Sequence, residues 1–346
     1  MMVTLGILTN GGDGPGTNQA VASLTKSSLE GSVADSVVGI RDGWAGIYNE
    51  NVMLLDALTV REYANSSGTF LGTSRLNPFN VKGEDKSGQL VVKMRDLGID
   101  VLAVIGGDGS LKAAYELYKT RGIPLVGIPQ TIDNDVLGTD YSLGFSSAVD
   151  EIQRYVNTAR NTSKSMNIIH IIKTMGRNAG HLALHGGIAT GVGIILIPEF
   201  AFRAEDVVDL LRKRRESGYN YDIVLVAENA KIKDRLNNES RDIELILAEE
   251  IENRTKYKVR NDSIGFIQRG APTNSYDNEM GVKFGNAAAE LIKNSQVGYM
   301  VALRKGLVSA VPLKRVTGGI RTVNLREDYD VMRLTAKSAG LGSPVY

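Results

Sequence analysis

Residues 101–110 read VLAVIGGDGS, five apolar residues followed by a turn of glycine, aspartate and serine. An apolar run that ends in glycines before an amphipathic segment predicts a buried strand, a tight turn and a helix. Glycine carries no Cβ, so a ligand can approach the backbone of such a turn closely. The stretch therefore predicts parallel α/β structure with a ligand beyond the carboxyl end of the strand.

The same arrangement occurs on both sides of residues 101–110. Upstream, the apolar run 3–8 leads into GGDGPG at residues 11–16. Downstream, a predicted strand over 124–128 leads into TIDND at residues 131–135. Because the carboxyl ends of parallel strands meet at one edge of a sheet, we expect the three turns to converge on one crevice.

Alternating strand and helix patterns continue along the chain. The predicted helices cover residues 17–29, 111–118, 148–161, 204–215 and 243–255. The further predicted strands cover residues 37–40, 168–173, 194–197, 222–227 and 263–266. A length of 346 residues is typical of about two domains.

Composition excludes several function classes. Lys and Arg number 40 and Asp and Glu number 39, so no basic excess indicates nucleic-acid binding. Cysteine is absent, which excludes disulfides, thiolate nucleophiles and Cys-ligated zinc. No apolar stretch is long enough to span a membrane, and the first 16 residues lack the features of a signal peptide. We therefore expect a cytoplasmic protein without a membrane or nucleic-acid partner.

The three turns carry groups that suit phosphate chemistry. Backbone N–H groups in the glycine turn 11–16 can bind an anion at the start of a helix, although a purely structural turn has the same pattern. The turn 106–110 favours a nucleotide or polyphosphate ligand, and Asp108 can hold Mg²⁺ directly or through water. Asp133 can take a proton from a substrate hydroxyl, the alternative being a self-capped Asx turn.

Four arginines lie in or beside polar turns, where bidentate contact with phosphate is possible. These are Arg75, Arg177, Arg260 and Arg269. A solvated side chain is the alternative for each of them taken alone.

Taken together, the segments resemble the phosphofructokinase A family, the 6-phosphofructokinases. The matching segments are GGDGPG at 11–16, GTFLGTSR at 68–75, IGGDGS at 105–110, TIDND at 131–135, GTDYSLGF at 138–145, MGRNAGHLAL at 175–184 and IQRGAPTNSYD at 267–277. The resemblance implies an α/β phosphofructokinase fold of two similar three-layer αβα domains with mainly parallel sheets. It also implies transfer of the ATP γ-phosphoryl group to the C1 hydroxyl of fructose 6-phosphate or a related sugar phosphate, with Mg²⁺. A homo-oligomer, a tetramer or a dimer, is the implied assembly.

The resemblance places the domain boundaries within the chain. Residues 1–144 with about 268–306 are predicted to bind the donor and Mg²⁺. Residues 145–267 with about 307–346 are predicted to bind the sugar.

Roles for individual residues follow from the resemblance. Asp133 resembles the general base, with Thr131, Asp135 and Arg177 as its catalytic neighbours. The residues implied in donor binding are Gly12, Trp44, Arg75, Gly107, Asp108, Gly109 and Ser110, with Asp108 also as the metal ligand. The residues implied in substrate binding are Thr131, Asp133, Met175, Gly176, Arg177, Glu228, Arg260 and Arg269.

Two positions bear on whether ATP or pyrophosphate is the phosphoryl donor. Family members that use pyrophosphate commonly carry an aspartate where this chain has Gly109, and that carboxylate repels the α-phosphate of ATP. They also carry a lysine where this chain has Gln130, while ATP users often have glycine there. Gly109 therefore favours ATP, and pyrophosphate stays open as an alternative.

Two other positions bear on the acceptor. Where the family has an arginine and a histidine that hold the 6-phosphate, this chain has Ile168 and Phe266. An Ile/Phe wall would suit a sugar or cyclitol that lacks the 6-phosphate. Alternatively, Arg260 and Arg269 suffice, or Lys164 or Lys173 compensates.

Other functions remain open at this stage. Arginines that bind effectors in the family are replaced by Ala22 and Lys26, although Arg160 matches a third, so effector control is expected to be weakened.

A non-catalytic regulatory subunit is possible, but Asp108 and Asp133 argue against it. A NAD or lipid kinase could share the GGDG turn, but the TIDND segment argues against that reading.

Overall fold

The computed structural model describes residues 2–233 and 242–324, which divide into two compact units. The first unit combines Met1–Ser147 with Arg269–Arg321. The second unit contains Ala148–Gln268 and the segment that begins at Thr322. The chain thus passes from the first unit to the second at Ala148, returns to the first at Arg269 and joins the second again at Thr322.

Strands and helices alternate along most of the chain. The strands are β1 (Thr4–Asn10), β2 (Ser36–Ile40), β3 (Val52–Leu55), β4 (Val101–Gly106), β5 (Leu125–Pro129), β6 (Ile169–Thr174), β7 (Ile194–Leu196), β8 (Asp222–Ala227), β9 (Val259–Ser263), β10 (Tyr299–Arg304) and β11 (Leu307–Pro312). The helices are α1 (Thr17–Glu30), α2 (Trp44–Tyr48), α3 (Ala57–Tyr63), α4 (Ser87–Asp96), α5 (Asp108–Arg121), α6 (Phe145–Met166), α7 (His181–Thr190), α8 (Ala204–Glu216), α9 (Ile243–Arg254) and α10 (Ser275–Lys293). The chain is α/β with mainly parallel sheets, as the sequence predicts.

A sheet of seven strands in the order β11-β10-β5-β4-β1-β2-β3 forms the centre of the first unit. β3 and β11 run antiparallel to their neighbours, and the remaining pairs are parallel. Every residue of β4 is buried. A parallel strand covered by helices on both faces needs apolar side chains at every position, which explains the unbroken run VLAVI.

Helices cover both faces of this sheet. On one face, Leu8 and Val104 pack in a core with Trp44 and Leu111 from α2 and α5. α1 and α10 pack closely against each other. A Cβ at Gly285 of α10 would lie only 2.7 Å from the carbonyl oxygen of Ala20 on α1. Glycine on α10 therefore allows the two helix backbones to approach.

The second unit contains a smaller, fully parallel sheet in the order β7-β8-β6-β9. Ile169, Ile171 and Val224 pack on one face with residues of α8 and α9. α6 contributes hydrogen bonds on the other face, where Tyr155 donates to Asp262. The two units therefore share the αβα plan but differ in sheet size.

Two expectations from the sequence are corrected. The predicted strand 263–266 is wrong, since β9 ends at Ser263 and residues Gly265–Gln268 form a 3₁₀ helix that begins with Gly265 at a φ of 54°. Residues 307–321 lie in the first unit rather than the second, because β11 pairs with β10. The antiparallel edge strands β3 and β11 were not predicted. Residues 325–346, predicted in the second domain, lie outside the described residues.

Across residues 2–233 and 242–324, no helix has the length and apolar character to cross a membrane.

Asp277 on α10 is a buried hydrogen-bond acceptor for the loop 141–147. Oδ1 accepts from the Tyr141 hydroxyl at 2.6 Å and from the Gly144 N–H at 2.7 Å. Oδ2 accepts from the N–H and the hydroxyl of Ser147 at 2.8 and 2.6 Å. Burial raises the pKa of the Asp277 carboxyl, and the four donors lower it. This residue holds the segment after the TIDND turn against α10.

We expect Asp277→Asn to lower the unfolding free energy of the first unit by about 3 kcal/mol or more, since an amide nitrogen would face a backbone N–H or hydroxyl donor. The matched control Tyr141→Phe removes a single donor and should cost about 1.5 kcal/mol. Urea unfolding can be followed by the fluorescence of Trp44, the single tryptophan, in the core of the same unit. Equal or smaller destabilisation by Asp277→Asn than by Tyr141→Phe would contradict this role.

Candidate functional site

Three neighbouring strands of the first unit end at the same level. Asn10 at the end of β1 pairs in register with Gly106 at the end of β4. Gly106 pairs in turn with Pro129 at the end of β5. The turns 11–16, 106–110 and 131–135 therefore leave the sheet side by side, which confirms that they converge.

The Asn10 side chain links the second turn to the loop before Arg75 and to the start of α2, and the sequence analysis did not identify it. Its Nδ2 donates to the Ser110 hydroxyl at 3.0 Å, and its Oδ1 accepts from the Trp44 N–H at 3.3 Å and the Ser74 hydroxyl at 3.2 Å. The Ser110 hydroxyl donates back to the Asn10 carbonyl oxygen at 2.9 Å. The sequence does carry a signal for this role of Asn10: the asparagine ends a buried strand and directly precedes two glycines.

The first glycine turn is held from two directions. The Gly11 N–H donates to the Ser74 carbonyl oxygen at 2.8 Å, and the Thr73 hydroxyl donates to the Gly11 carbonyl oxygen at 2.9 Å. Arg75 follows directly and is exposed. These bonds place the Arg75 position next to the turn that was predicted to bind an anion.

Arg269 also lies against the first turn. A Cβ at Gly12 would be 3.4 Å from the Arg269 guanidinium carbon, so the absence of a side chain there leaves room for the cation. Both residues belong to the first unit. Arg269, which the resemblance places at the sugar phosphate, thus lies next to the first glycine turn.

Gln130 is 2% exposed and supports the same turn. With its amide oriented to satisfy both bonds, the nitrogen donates to the Gly12 carbonyl oxygen at 3.1 Å and the oxygen accepts from the Gly14 N–H at 3.3 Å. Its side chain is thus used to hold backbone and adds no charge.

The second turn opens α5, with Gly107 as the residue before its first turn. Asp108 Oδ2 accepts from Lys112 at 2.9 Å, an i,i+4 ion pair that could be found in the sequence. Asp108 Oδ1 is buried, and none of the described residues donates to it. Gly109 is exposed, and a Cβ there would meet no atom within 4 Å.

The free oxygen of Asp108 fits a metal-bound water or a metal ion. No group of three or more metal-ligating side chains exists within the part of the chain that the structure describes. Mg²⁺ commonly binds through one or two carboxylates together with phosphate oxygens and water. The Asp108 turn therefore fits Mg²⁺ held chiefly by a phosphorylated ligand.

The third turn places two buried carboxylates beyond β5. Asp133 and Asp135 are 5% and 6% exposed. Asn134 between them has a φ of 54°, and its Oδ1 accepts from the Ser142 N–H at 2.9 Å. The Thr131 hydroxyl accepts from the Asp133 N–H at 3.2 Å. A left-handed non-glycine residue at this point indicates a backbone held in place by its neighbours.

Trp44 does not lie where the resemblance implied. Its side chain is completely buried in the core with Leu8 and Ile40, so the indole presents no surface to a nucleotide. The prediction that this side chain contacts the donor is therefore corrected. Tertiary packing of α2 on the sheet is the physical reason.

The second unit collects four of the predicted sugar contacts at the ends of two strands. Thr174 at the end of β6 pairs in register with Ala227 at the end of β8. The Glu228 carboxylate accepts from the Arg177 N–H at 2.7 Å. Gly176 and Arg177 have φ values of 132° and 50°, which form a tight turn there. Met175 begins this turn.

Arg260, Ile168 and Phe266 lie elsewhere in the second unit. Arg260 is exposed near the start of β9, beside His170 of β6. Ile168 precedes β6 and is 3% exposed, whereas Phe266 follows the other end of β9 and is 75% exposed. Within one chain the two positions therefore stand at opposite ends of parallel strands, and the resemblance implies that the position of Ile168 is contributed by a neighbouring subunit.

Lys173 is not available to compensate for the missing phosphate ligands. Its ammonium pairs with Asp242 at 2.8 Å and with Glu244 at 2.7 Å. These acidic partners raise the pKa of Lys173 against the effect of its partial burial. Lys164 is exposed on α6.

Known proteins resemble this chain over nearly its whole length. A sequence model of the family described as Phosphofructokinase matches residues 4–292. The ATP-dependent 6-phosphofructokinase 3 of Bacteroides thetaiotaomicron is 34% identical, with 95% of this chain and 96% of that protein covered. The pyrophosphate–fructose 6-phosphate 1-phosphotransferase of Streptomyces coelicolor is 35% identical, with 92% of this chain and 96% of that protein covered.

Solved structures show the same fold. A pyrophosphate-dependent phosphofructokinase from Nitrosospira multiformis has a TM-score of 0.85 at 19% identity, covering 99% of this chain and 93% of that chain. Phosphofructokinase from Saccharomyces cerevisiae has a TM-score of 0.80 at 24% identity and covers 97% of this chain. This chain spans about half the length of the yeast chain, 47%. With the family match over residues 4–292, these findings show that the chain belongs to the phosphofructokinase family.

Proposed function

We propose that this chain transfers the γ-phosphoryl group of ATP to the C1 hydroxyl of fructose 6-phosphate. The observation that carries the proposal is the alignment of three strand ends at Asn10, Gly106 and Pro129, which brings two glycine turns and the carboxylates of TIDND together. Relatives named as ATP-dependent and as pyrophosphate-dependent enzymes agree on fructose 6-phosphate as the acceptor.

In this proposal Asp133 is the general base. The acceptor O–H bond breaks as its proton passes to the Asp133 carboxylate, and the oxygen forms a bond to the γ-phosphorus. The bond from the γ-phosphorus to the bridging oxygen breaks, and ADP leaves with that electron pair. Positioning and charge stabilisation supply most of the catalysis in such transfers.

The cations and backbone N–H groups of the first unit stabilise the phosphates. Gly12, Gly107 and Ser110 line the turns, Arg75 and Arg269 carry charge beside the first turn, and Thr131 and Asp135 flank the base. Asp108 would hold Mg²⁺, which would neutralise charge on the donor phosphates when bound. On the acceptor side, Met175, Gly176, Arg177 and Glu228 contact the sugar, and Arg260 contacts its phosphate.

Two features of the first unit support ATP over pyrophosphate as donor. The position of Gly109 is open and uncharged, so an α-phosphate can extend past it. A cavity of about 520 Å³ is lined by Tyr48, Leu76 and Val81. Lys86 and Lys93 also line this cavity, and Leu76 follows Arg75 in the chain, so a pocket with apolar and basic side chains begins one residue from a proposed donor-binding cation.

A second candidate acceptor is a sugar or cyclitol without the 6-phosphate. Ile168 and Phe266 provide no charge, and Asp262 places a carboxylate two residues from Arg260. Rates with fructose 6-phosphate and a panel of unphosphorylated sugars and cyclitols, each with ATP and with pyrophosphate, discriminate the candidates. A preference for an unphosphorylated acceptor would reject fructose 6-phosphate, and turnover of nothing in the panel would favour a regulatory subunit.

The assembly and location complete the proposal. We expect a homo-oligomer, a tetramer or a dimer, which sedimentation velocity can test. Glycolytic use of fructose 6-phosphate would place the enzyme in the cytoplasm.

We expect Asp133→Asn to lower kcat by about 10²–10⁴, because the amide cannot accept the hydroxyl proton. The measurement is initial rates at saturating ATP and acceptor. An unchanged thermal unfolding midpoint controls for folding, since asparagine has nearly the same shape. A kcat within threefold of the parent, roughly, would exclude Asp133 as the base.

We expect Gly109→Asp to lower kcat/KM for ATP at least about tenfold, since its carboxylate would face the α-phosphate. Gly109→Asn is the matched control, equal in size and uncharged, and should retain most of the activity. Neither variant should perturb folding, because the position is open. Rates with ATP and with pyrophosphate are compared, and equal losses in the two variants would show that charge at this position does not select the donor.

A further inference from the structure

The backbone of the TIDND turn is held by an arginine near the end of the described chain. The Arg321 N–H donates to the Asp135 carbonyl oxygen at 2.8 Å. The Nη1 of the same residue donates to the Asn134 carbonyl oxygen at 3.0 Å, across 187 positions of sequence. One residue thus binds two successive carbonyl groups of the turn, and no step of the proposed reaction uses it.

Apolar packing fixes the segment from which Arg321 reaches the turn. Leu313 and Val316 belong to a short 3₁₀ helix and are completely buried. They lie in the same core as Val136, the residue that directly follows the turn. Gly319 has a φ of 130°, a conformation that favours glycine, so the chain can change direction between the 3₁₀ helix and Arg321. The arginine therefore approaches the turn from a fixed base.

Asn134, one of the two residues bound by Arg321, has a strained backbone. Its φ is 54°, and its side-chain Oδ1 accepts from the Ser142 N–H at 2.9 Å. The side chain is thus held by one neighbour and the carbonyl group by another. A non-glycine residue stays in the left-handed region only where its surroundings fix it. Without the guanidinium bond, the peptide that follows Asn134 is free to rotate, and Asp133 directly before it would shift.

We infer that Arg321 is a positioning residue, which holds the Asn134 carbonyl group so that the Asp133 carboxylate is directed at the acceptor hydroxyl. The inference rests on the proposed role of Asp133 as the base. Arg321 acts through the backbone of the turn rather than on the substrate. A displacement of about 1 Å between reacting groups can lower a rate about 100-fold. The loss of the guanidinium should therefore lower kcat and leave substrate affinity nearly unchanged.

Arg321→Met tests the guanidinium bond. Methionine fills part of the space of the arginine stem and carries no donor, while the backbone N–H of residue 321 still binds Asp135. We expect kcat to fall about 10- to 100-fold, with the KM values for ATP and fructose 6-phosphate within about threefold of the parent. Initial rates over both substrate concentrations give these constants, and the thermal unfolding midpoint reports on folding. A parental kcat would overturn the inference.

Arg315→Met is the matched control. Arg315 is exposed on the 3₁₀ helix, so this variant removes the same charge from the same segment. Its kcat should equal that of the parent. An equal loss of kcat in Arg315→Met and Arg321→Met would overturn the inference, because the charge of the segment and not the bond to Asn134 would then be the cause.

A double-mutant comparison separates positioning of Asp133 from a general effect on the structure. In the Asp133→Asn background, Arg321→Met should lower kcat by less than about threefold further, since the group that Arg321 positions no longer accepts the proton. A purely structural role would lower kcat by the same factor in both backgrounds. That result would overturn the inference.

Arg321→Lys provides a second variant, and its comparison with the parent stays decisive if Arg321→Met does not fold. Lysine retains a charged donor for the Asn134 carbonyl group, but its flexible stem holds that group less rigidly than a planar guanidinium does. Its kcat should lie between those of the parent and Arg321→Met, at a parental KM. A kcat equal to either of the two would overturn the inference.

The failure of this inference can be distinguished from the failure of the proposed function. A nearly parental kcat in Asp133→Asn would reject the proposed base, whatever Arg321→Met does. A large loss of kcat in Asp133→Asn together with a parental kcat in Arg321→Met would reject the role of Arg321 alone.

Discussion

The hydrogen bonds of Asn10 are the constraint on which the rest of the first unit depends. One side chain at the end of a central strand contacts the second turn through Ser110, the loop before Arg75 through Ser74, and the start of α2 through the Trp44 N–H. Buried amides are costly unless every partner is in place, so such a hub specifies one arrangement of the segments around it. The second turn, the loop before Arg75 and the start of α2 are therefore held in one arrangement, while the register of β1, β4 and β5 aligns the three turns.

The phosphate chemistry proposed for the site depends on the absence of side chains at two glycines of the turns. Gly12 leaves room for the Arg269 guanidinium, and Gly109 leaves open space above the first turn of α5. Gln130, at a position where a charge would affect the choice of donor, is used to hold the backbone of Gly12 and Gly14. Relatives with either donor in their names lie at similar identity, 34% and 35%. Overall sequence identity therefore does not distinguish the two donors.

On the proposed acceptor side, few cations among the residues that the structure describes are available to a phosphate. Ile168 has become part of the core, and Lys173 is held by Asp242 and Glu244. Arg260 then remains as an exposed cation on β9, with a carboxylate two residues away.

Local sequence determined the alternation of strands and helices, the glycine turns and the carboxylates at 108, 133 and 135, because buried strands need apolar runs and phosphate-binding turns need glycine. It did not determine the antiparallel edges β3 and β11, which short strands form only when a neighbouring edge is available to pair with them. Nor did it determine the burial of Trp44, the separation of Ile168 from Phe266, or the partners of Asn10, Asp277 and Arg321. Tertiary structure decided these features, since each depends on contacts between residues distant in the chain, and an isolated residue type carries no information about which distant group will reach it.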